Sequence, residues 1–159
     1  MREELDRVMC SIWRDMLGSH IHYLAQVSVT DSPQMLGMIR LSGAYNAELC
    51  LLISEGLIEH LRGLMFSGAE FSLNKAHSED VLRELINMLG GCLKNVVPEP
   101  TVISLPRVLK IGQEAVFSVR SQALIEMCYG NEAGWLVLFL AEDPHDADSV
   151  LDRGQCPER

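Results

Sequence analysis

The chain has 159 residues, 48% of them hydrophobic and 22% charged, with 13 basic against 22 acidic residues and a net charge of −9. A single domain of this length buries roughly two-thirds of its unfolded surface, so one core is feasible. The acidic balance argues against a nucleic-acid binder and against docking on anionic lipid, and it permits a positively charged protein partner.

No apolar run reaches the ~18 to 20 residues of a membrane span; Trp135 to Ala141 is only strand length. The opening Met1-Arg-Glu-Glu-Leu-Asp is charged and amphipathic, so no secretory signal is expected and the reading is cytoplasmic. Cys10, Cys50, Cys92, Cys128 and Cys156 form no CxxC pair and read as reduced thiols. His20 and His22 stand two apart with no evident third ligand, so no metal is expected there.

Residues 2 to 19 predict an amphipathic helix, with Leu5, Val8, Met9, Ile12, Trp13, Met16 and Leu17 at i, i+3, i+4, i+7 spacing and Gly18 as its stop. The stripe of Met9, Trp13 and Met16 reads as core packing. Thr30 to Pro33 is a turn. Met35 to Leu41 and Glu48 to Ile53 predict strands around a hairpin loop at Ser42 to Asn46. A helix from Glu55 to Met65 comes next, with Leu57, Ile58, Leu61 and Leu64 as its expected buried side, closed by Phe66-Ser67-Gly68. A polar connection leads to a third helix, Ser78 to Val97, capped by Ser78 with Glu79 and Asp80 in its first turn and ended by Pro98 and Pro100.

The remainder reads as strands. Thr101 to Leu109 carries Pro106, which implies an edge or a bulge. Ala115 to Arg120 alternates partly. Ala123 to Tyr129 and Trp135 to Ala141 flank a hairpin turn, and Glu126 reads as a solvent-facing alternate. His60 and His77 read as surface or capping residues. Residues 1–141 form one expected domain, and 142–159 an acidic, mobile tail. The order predicts an α+β fold, a mostly antiparallel sheet with helices packed on one face.

The third helix is the informative element. At about 100° per residue, Val81, Leu82, Leu85, Ile86, Met88, Leu89, Cys92, Leu93 and Val96 cover one broad side. Asp80, Glu84, Asn87, Gly91 and Lys94 share a narrow sector opposite. Glu84 and Asn87 project together one turn apart. Gly91, a turn further on, leaves that face bare, so another surface can approach the backbone. A carboxylate, an amide and a bare patch on one rigid face suit insertion into a partner. Glu-x-x-Asn alone is common in chains of this length; Asp80 four residues before and Gly91 four residues after make the pattern more specific.

The stretch Asp80-Val-Leu-Arg-Glu84-Leu-Ile-Asn87-Met-Leu-Gly-Gly91-Cys-Leu-Lys94 resembles the signature helix of the CheC/CheX/FliY phosphatases of bacterial chemotaxis, roughly Asp/Ser-x-x-x-Glu-x-x-Asn-x-x-x-Gly. The Ser42-Gly43 turn, the helix ending in Leu64-Met65-Phe66-Ser67-Gly68, and Ser104-Leu105-Pro106 with Gly112 fall where CheX-like proteins have similar features. Element order extends the likeness over about residues 5–141, although only the third helix is specific. No second Glu-x-x-Asn helix is present, which fits the single-site CheX-like branch. Cys92 departs from the Asn common after the family's glycine.

The resemblance implies hydrolysis of the aspartyl phosphate on a CheY-like response-regulator receiver domain. Asn87 would orient the attacking water and Glu84 would pair with the receiver's lysine; an amide can fix a water, and a reactive acyl phosphate needs little more than positioning. It implies no cofactor bound by this chain, Mg²⁺ supplied by the receiver, and a homodimer formed near a sheet edge. Gly91 would let the partner pack closely, with Asp80 and Lys94 at the rim. The rival readings are a receiver-binding module without catalysis and a dimeric signalling or assembly module of the same fold. No Gly-rich phosphate loop, Gly-x-Ser-x-Gly or His-Glu-x-x-His supports an unrelated hydrolase.

Overall fold

The computed structural model describes residues 1–29, 34–65 and 75–142, the side chains of 75–77 excepted. The expected closing Phe66-Ser67-Gly68, the Thr30–Pro33 turn, the side chain of His77 and the tail from residue 143, including Cys156, lie outside the described residues. No helix among the described residues is long and apolar enough to cross a membrane.

The chain is α+β, as expected. Its strands are β1 (His22–Leu24), β2 (Gln34–Gly43), β3 (Ala47–Ile53), β4 (Thr101–Ile103), β5 (Arg107–Ile111), β6 (Ile125–Asn131) and β7 (Gly134–Glu142). They form one antiparallel sheet in the order β1-β6-β7-β3-β2-β4, with β5 also pairing β2. The β2–β3 and β6–β7 hairpins are those read from the turn residues. The expected strand at 101–109 is interrupted at Ser104–Pro106, and its two halves flank successive parts of β2. Pro106 cannot donate to a ladder, and it sits in this break on the outer side of β2. Ser104 keeps the register: its N–H donates to the Arg40 carbonyl (2.8 Å) and its hydroxyl accepts the Arg40 N–H (3.0 Å).

Helices α1 (Arg2–Ser11), α2 (Glu55–Met65) and α3 (Lys75–Lys94) cover one face of the sheet. Every residue of β3 is buried, so the sheet needs cover on both sides. The second cover is α4 (Gln113–Gln122), where a strand was expected over 115–120. It buries Val116 and Val119, one turn apart, against Leu36, Met38, Cys50 and Phe139, and leaves Phe117 74% exposed. The Val/Phe composition favours a strand, but a core that lacks a second layer overrides propensity. Arg120 of α4 makes two hydrogen bonds to the Glu126 carboxylate, 2.7 and 3.1 Å, so Glu126 is half-buried and paired, not a solvent-facing alternate.

The first helix departs from its expected course. After α1, residues Ile12–Met16 form a π turn, with the Leu17 N–H donating to the Ile12 carbonyl (3.0 Å). The segment stops at Gly18, as read, with φ of +60°. Met9 and Trp13 are sealed in the core, but Met16 is 57% exposed, against the core reading. One extra residue in a turn rotates the rest of the segment by about 100°, so Leu17 takes the buried place Met16 would have had. The Tyr129 hydroxyl donates to Asp6 (2.8 Å), tying α1 to β6.

Candidate functional site

Six positions of α3, Val81, Leu82, Leu85, Ile86, Leu89 and Leu93, are fully buried, and Met88 and Cys92 are half-buried. Val96 is exposed instead, because α3 ends at Lys94 and the helical phase is lost beyond it. The helix starts at Lys75, three residues before the expected cap, so Ser78 is interior and Glu79 and Asp80 lie outside the first turn. Two close approaches seat α3 on the sheet. A Cβ at Gly37 of β2 would lie 3.1 Å from Leu82 Cγ, and a Cβ at Gly90 would lie 2.8 Å from Ile39 Cδ1. Gly90 therefore serves packing. A Cβ at Gly91 would meet nothing within 4 Å, and Gly91 is exposed, as the sequence implied.

The opposite side of α3 presents Asp80, Glu84, Asn87 and Gly91 to solvent, with Lys94 half-buried in the last turn. Glu84 and Asn87 are about 4.5 Å apart along the axis, and Gly91 lies about 6 Å further on. Asp80 binds Arg83 (2.7 Å), which satisfies both charges at the rim. Among the described residues, no hydrogen bond or ion pair engages the Glu84 carboxylate or the Asn87 amide. Asp80, Arg83, Glu84 and Asn87 line an open groove of about 660 Å³, walled by Met16, Leu17, Leu64, Met65 and Met88. Gly91 and Lys94 lie on the same helix beyond it. Among the described residues, its polar lining is two carboxylates, one guanidinium and one amide, groups that can pair charge and orient a bound molecule or water.

Met16 and Leu64 are residues of this groove that sequence reasoning placed in the core; both are exposed. No local signal marks a π turn, because the choice between Met16 and Leu17 for the core is made by packing. A larger groove of about 960 Å³ lies between Ser19–Leu24 and the β6–β7 turn, lined by His20, His22 and His60. His60 Nε2 is 3.4 Å from Ser19 Oγ. Among the described residues, no three His, Cys, Asp or Glu side chains are placed to hold a metal ion. Cys10, Cys50, Cys92 and Cys128 are free thiols. Burial pushes the Cys50 and Cys128 thiols up, with Glu48 and Glu126 adding to the effect, so both are poor nucleophiles.

The fold is shared with chemotaxis proteins of known structure. CheX from Vibrio vulnificus superposes with a TM-score of 0.70 at 17% identity, over 89% of this chain and 95% of that one. A CheC-like superfamily protein from Shewanella sp. PV-4 gives 0.65 at 16% identity, over 87% and 94%. CheX in a CheX–CheY–BeF3–Mg²⁺ complex from Borrelia burgdorferi gives 0.65 at 9% identity, over 88% and 96%. Among curated proteins, none matches the sequence. The architecture is thus that of the CheC/CheX group. The profile of the family described as chemotaxis phosphatase CheX matches residues 35–127, more than half of the chain, and the chain belongs to that family.

Proposed function

We propose that this protein hydrolyses the aspartyl phosphate of a CheY-like receiver domain, with Asn87 and Glu84 as its working residues. The observation that carries the reading is the unengaged carboxylate and amide, one turn apart on the exposed side of a helix clamped to the sheet. Family membership and the receiver present in the Borrelia burgdorferi complex support the choice of partner. Asn87 enters the receiver's site and fixes a water through its donor and acceptor, in line with the phosphorus–oxygen bond. The water oxygen bonds to phosphorus as the bond to the aspartyl oxygen breaks, releasing the carboxylate and inorganic phosphate. Glu84 pairs with the receiver's lysine and sets the angle of insertion. Charge on the phosphoryl oxygens is offset by the Mg²⁺ that the receiver carries. Gly91 keeps the approach clear, and Asp80 and Lys94 frame it.

The test is loss of phosphoryl label from a Mg²⁺-loaded receiver of the same organism, beside Glu84→Ala and Asn87→Ala. Wild type shortens the label's lifetime. Asn87→Ala abolishes the acceleration while keeping affinity for the receiver, and Glu84→Ala weakens both. Binding of the receiver without any change in lifetime refutes catalysis and leaves a docking module.

A further inference from the structure

The π turn reshapes the rim of the groove. In an unbroken α-helix, Met16 would point within about 20° of Met9, into the core. Here the core takes Leu17, and Met16 stands 57% exposed in the same groove as Glu84 and Asn87. Leu64, from the last turn of α2, faces the groove with 38% exposure. The cationic residue of the lining, Arg83, is bound to Asp80. A partner that seats a lysine on Glu84 therefore meets an apolar flank beside it.

Resting on the function proposed above, we infer that Met16 is a specificity-determining contact: it packs on an apolar side chain that the receiver presents next to its phosphorylated aspartate when Asn87 enters. The occupant is the receiver because the flank is continuous with the Glu84–Asn87 surface, which already brings that partner within van der Waals reach. An unbranched thioether suits this task, since it adapts to an irregular surface and has no proton to move. Such a contact holds substrate and transition state equally, so it sets KM and leaves kcat alone.

The experiment measures KM and kcat for label loss, and Kd for the BeF3⁻–Mg²⁺-loaded receiver, with wild type, Met16→Ala, Met16→Glu and Met16→Leu, and with Asn87→Ala as the control for the underlying reading. Met16→Ala is expected to raise KM and Kd together by about tenfold, as truncating an apolar interface anchor does, with kcat within about twofold of wild type. Met16→Glu weakens binding further, Met16→Leu restores most of it, and the thermal midpoints of all three stay with wild type because the side chain is exposed. Alanine and glutamate variants that match wild type in KM and Kd overturn the inference, as does a fall in kcat at unchanged KM. Failure of wild type itself to bind or turn over the receiver, with Asn87→Ala indistinguishable from it, refutes the function proposed above and takes the role of Met16 with it.

Discussion

Gly90 and Gly91 are adjacent in sequence, yet their replacement by alanine is expected to have opposite effects on stability. Each substitution removes a helix-interior glycine, which is worth about 1 kcal/mol. At Gly91 the new methyl meets nothing within 4 Å, so that gain is kept. At Gly90 it would lie 2.8 Å from Ile39 Cδ1 and 3.4 Å from Ile39 Cγ2 and Ile103 Cγ2. Ile39 is sealed in the core and has little room to yield. Overpacking of this kind costs about 1–3 kcal/mol, so Gly90→Ala should be net destabilising by up to about 2 kcal/mol. Urea and thermal unfolding of both variants separate the cases: Gly91→Ala should raise the midpoint by about 2–4 °C and Gly90→Ala should lower it by a similar amount. Stabilisation of equal size at both positions would refute the seating of α3 on Ile39. The receiver assay adds a second readout. Gly91→Ala should weaken receiver affinity although it stabilises the fold, because the methyl stands on the docking face.

The packing sets three further outcomes. Val119→Ala should cost about 2 kcal/mol in chemical unfolding while Phe117→Ser changes stability by less than about 0.5 kcal/mol; the reverse ranking would restore the strand reading of residues 115–120. Leu82→Ala should cost about 3 kcal/mol, because Leu82 is sealed between α3 and Gly37. Tyr129 is buried and donates to Asp6, which pushes its phenol above its ordinary value of 10.0. Above that pH the unfolded chain loses the proton while the folded one keeps it, so stability should fall as pH rises beyond about 10, by up to about 1.4 kcal/mol per unit. Tyr129→Phe should remove that part of the alkaline slope in pH-dependent urea unfolding. The same slope retained in the variant would assign it instead to the other groups that burial pushes up, the Tyr45 phenol and the thiols of Cys10, Cys50 and Cys128.

The reach of the sequence differs between elements, and the difference is physical. The polar and apolar sides of α3 are legible because helical periodicity is local: buried Leu82, Leu85, Ile86 and Leu89 put Glu84, Asn87 and Gly91 opposite them wherever the helix sits. The β2–β3 and β6–β7 hairpins are legible for the same reason, since their turn chemistry and paired apolar runs are neighbours in the chain. Tertiary structure alone decided that residues 113–122 are a helix, because β3 and β7 need cover on a second face that no local pattern announces. It also decided that Leu17 and not Met16 enters the core, since both fit the same stripe and only packing against the sheet selects one. The groove itself exists only after α1, α2 and α3 are assembled: its polar floor was written in one helix, and its apolar flanks come from residues far apart in the chain whose directions are set by packing.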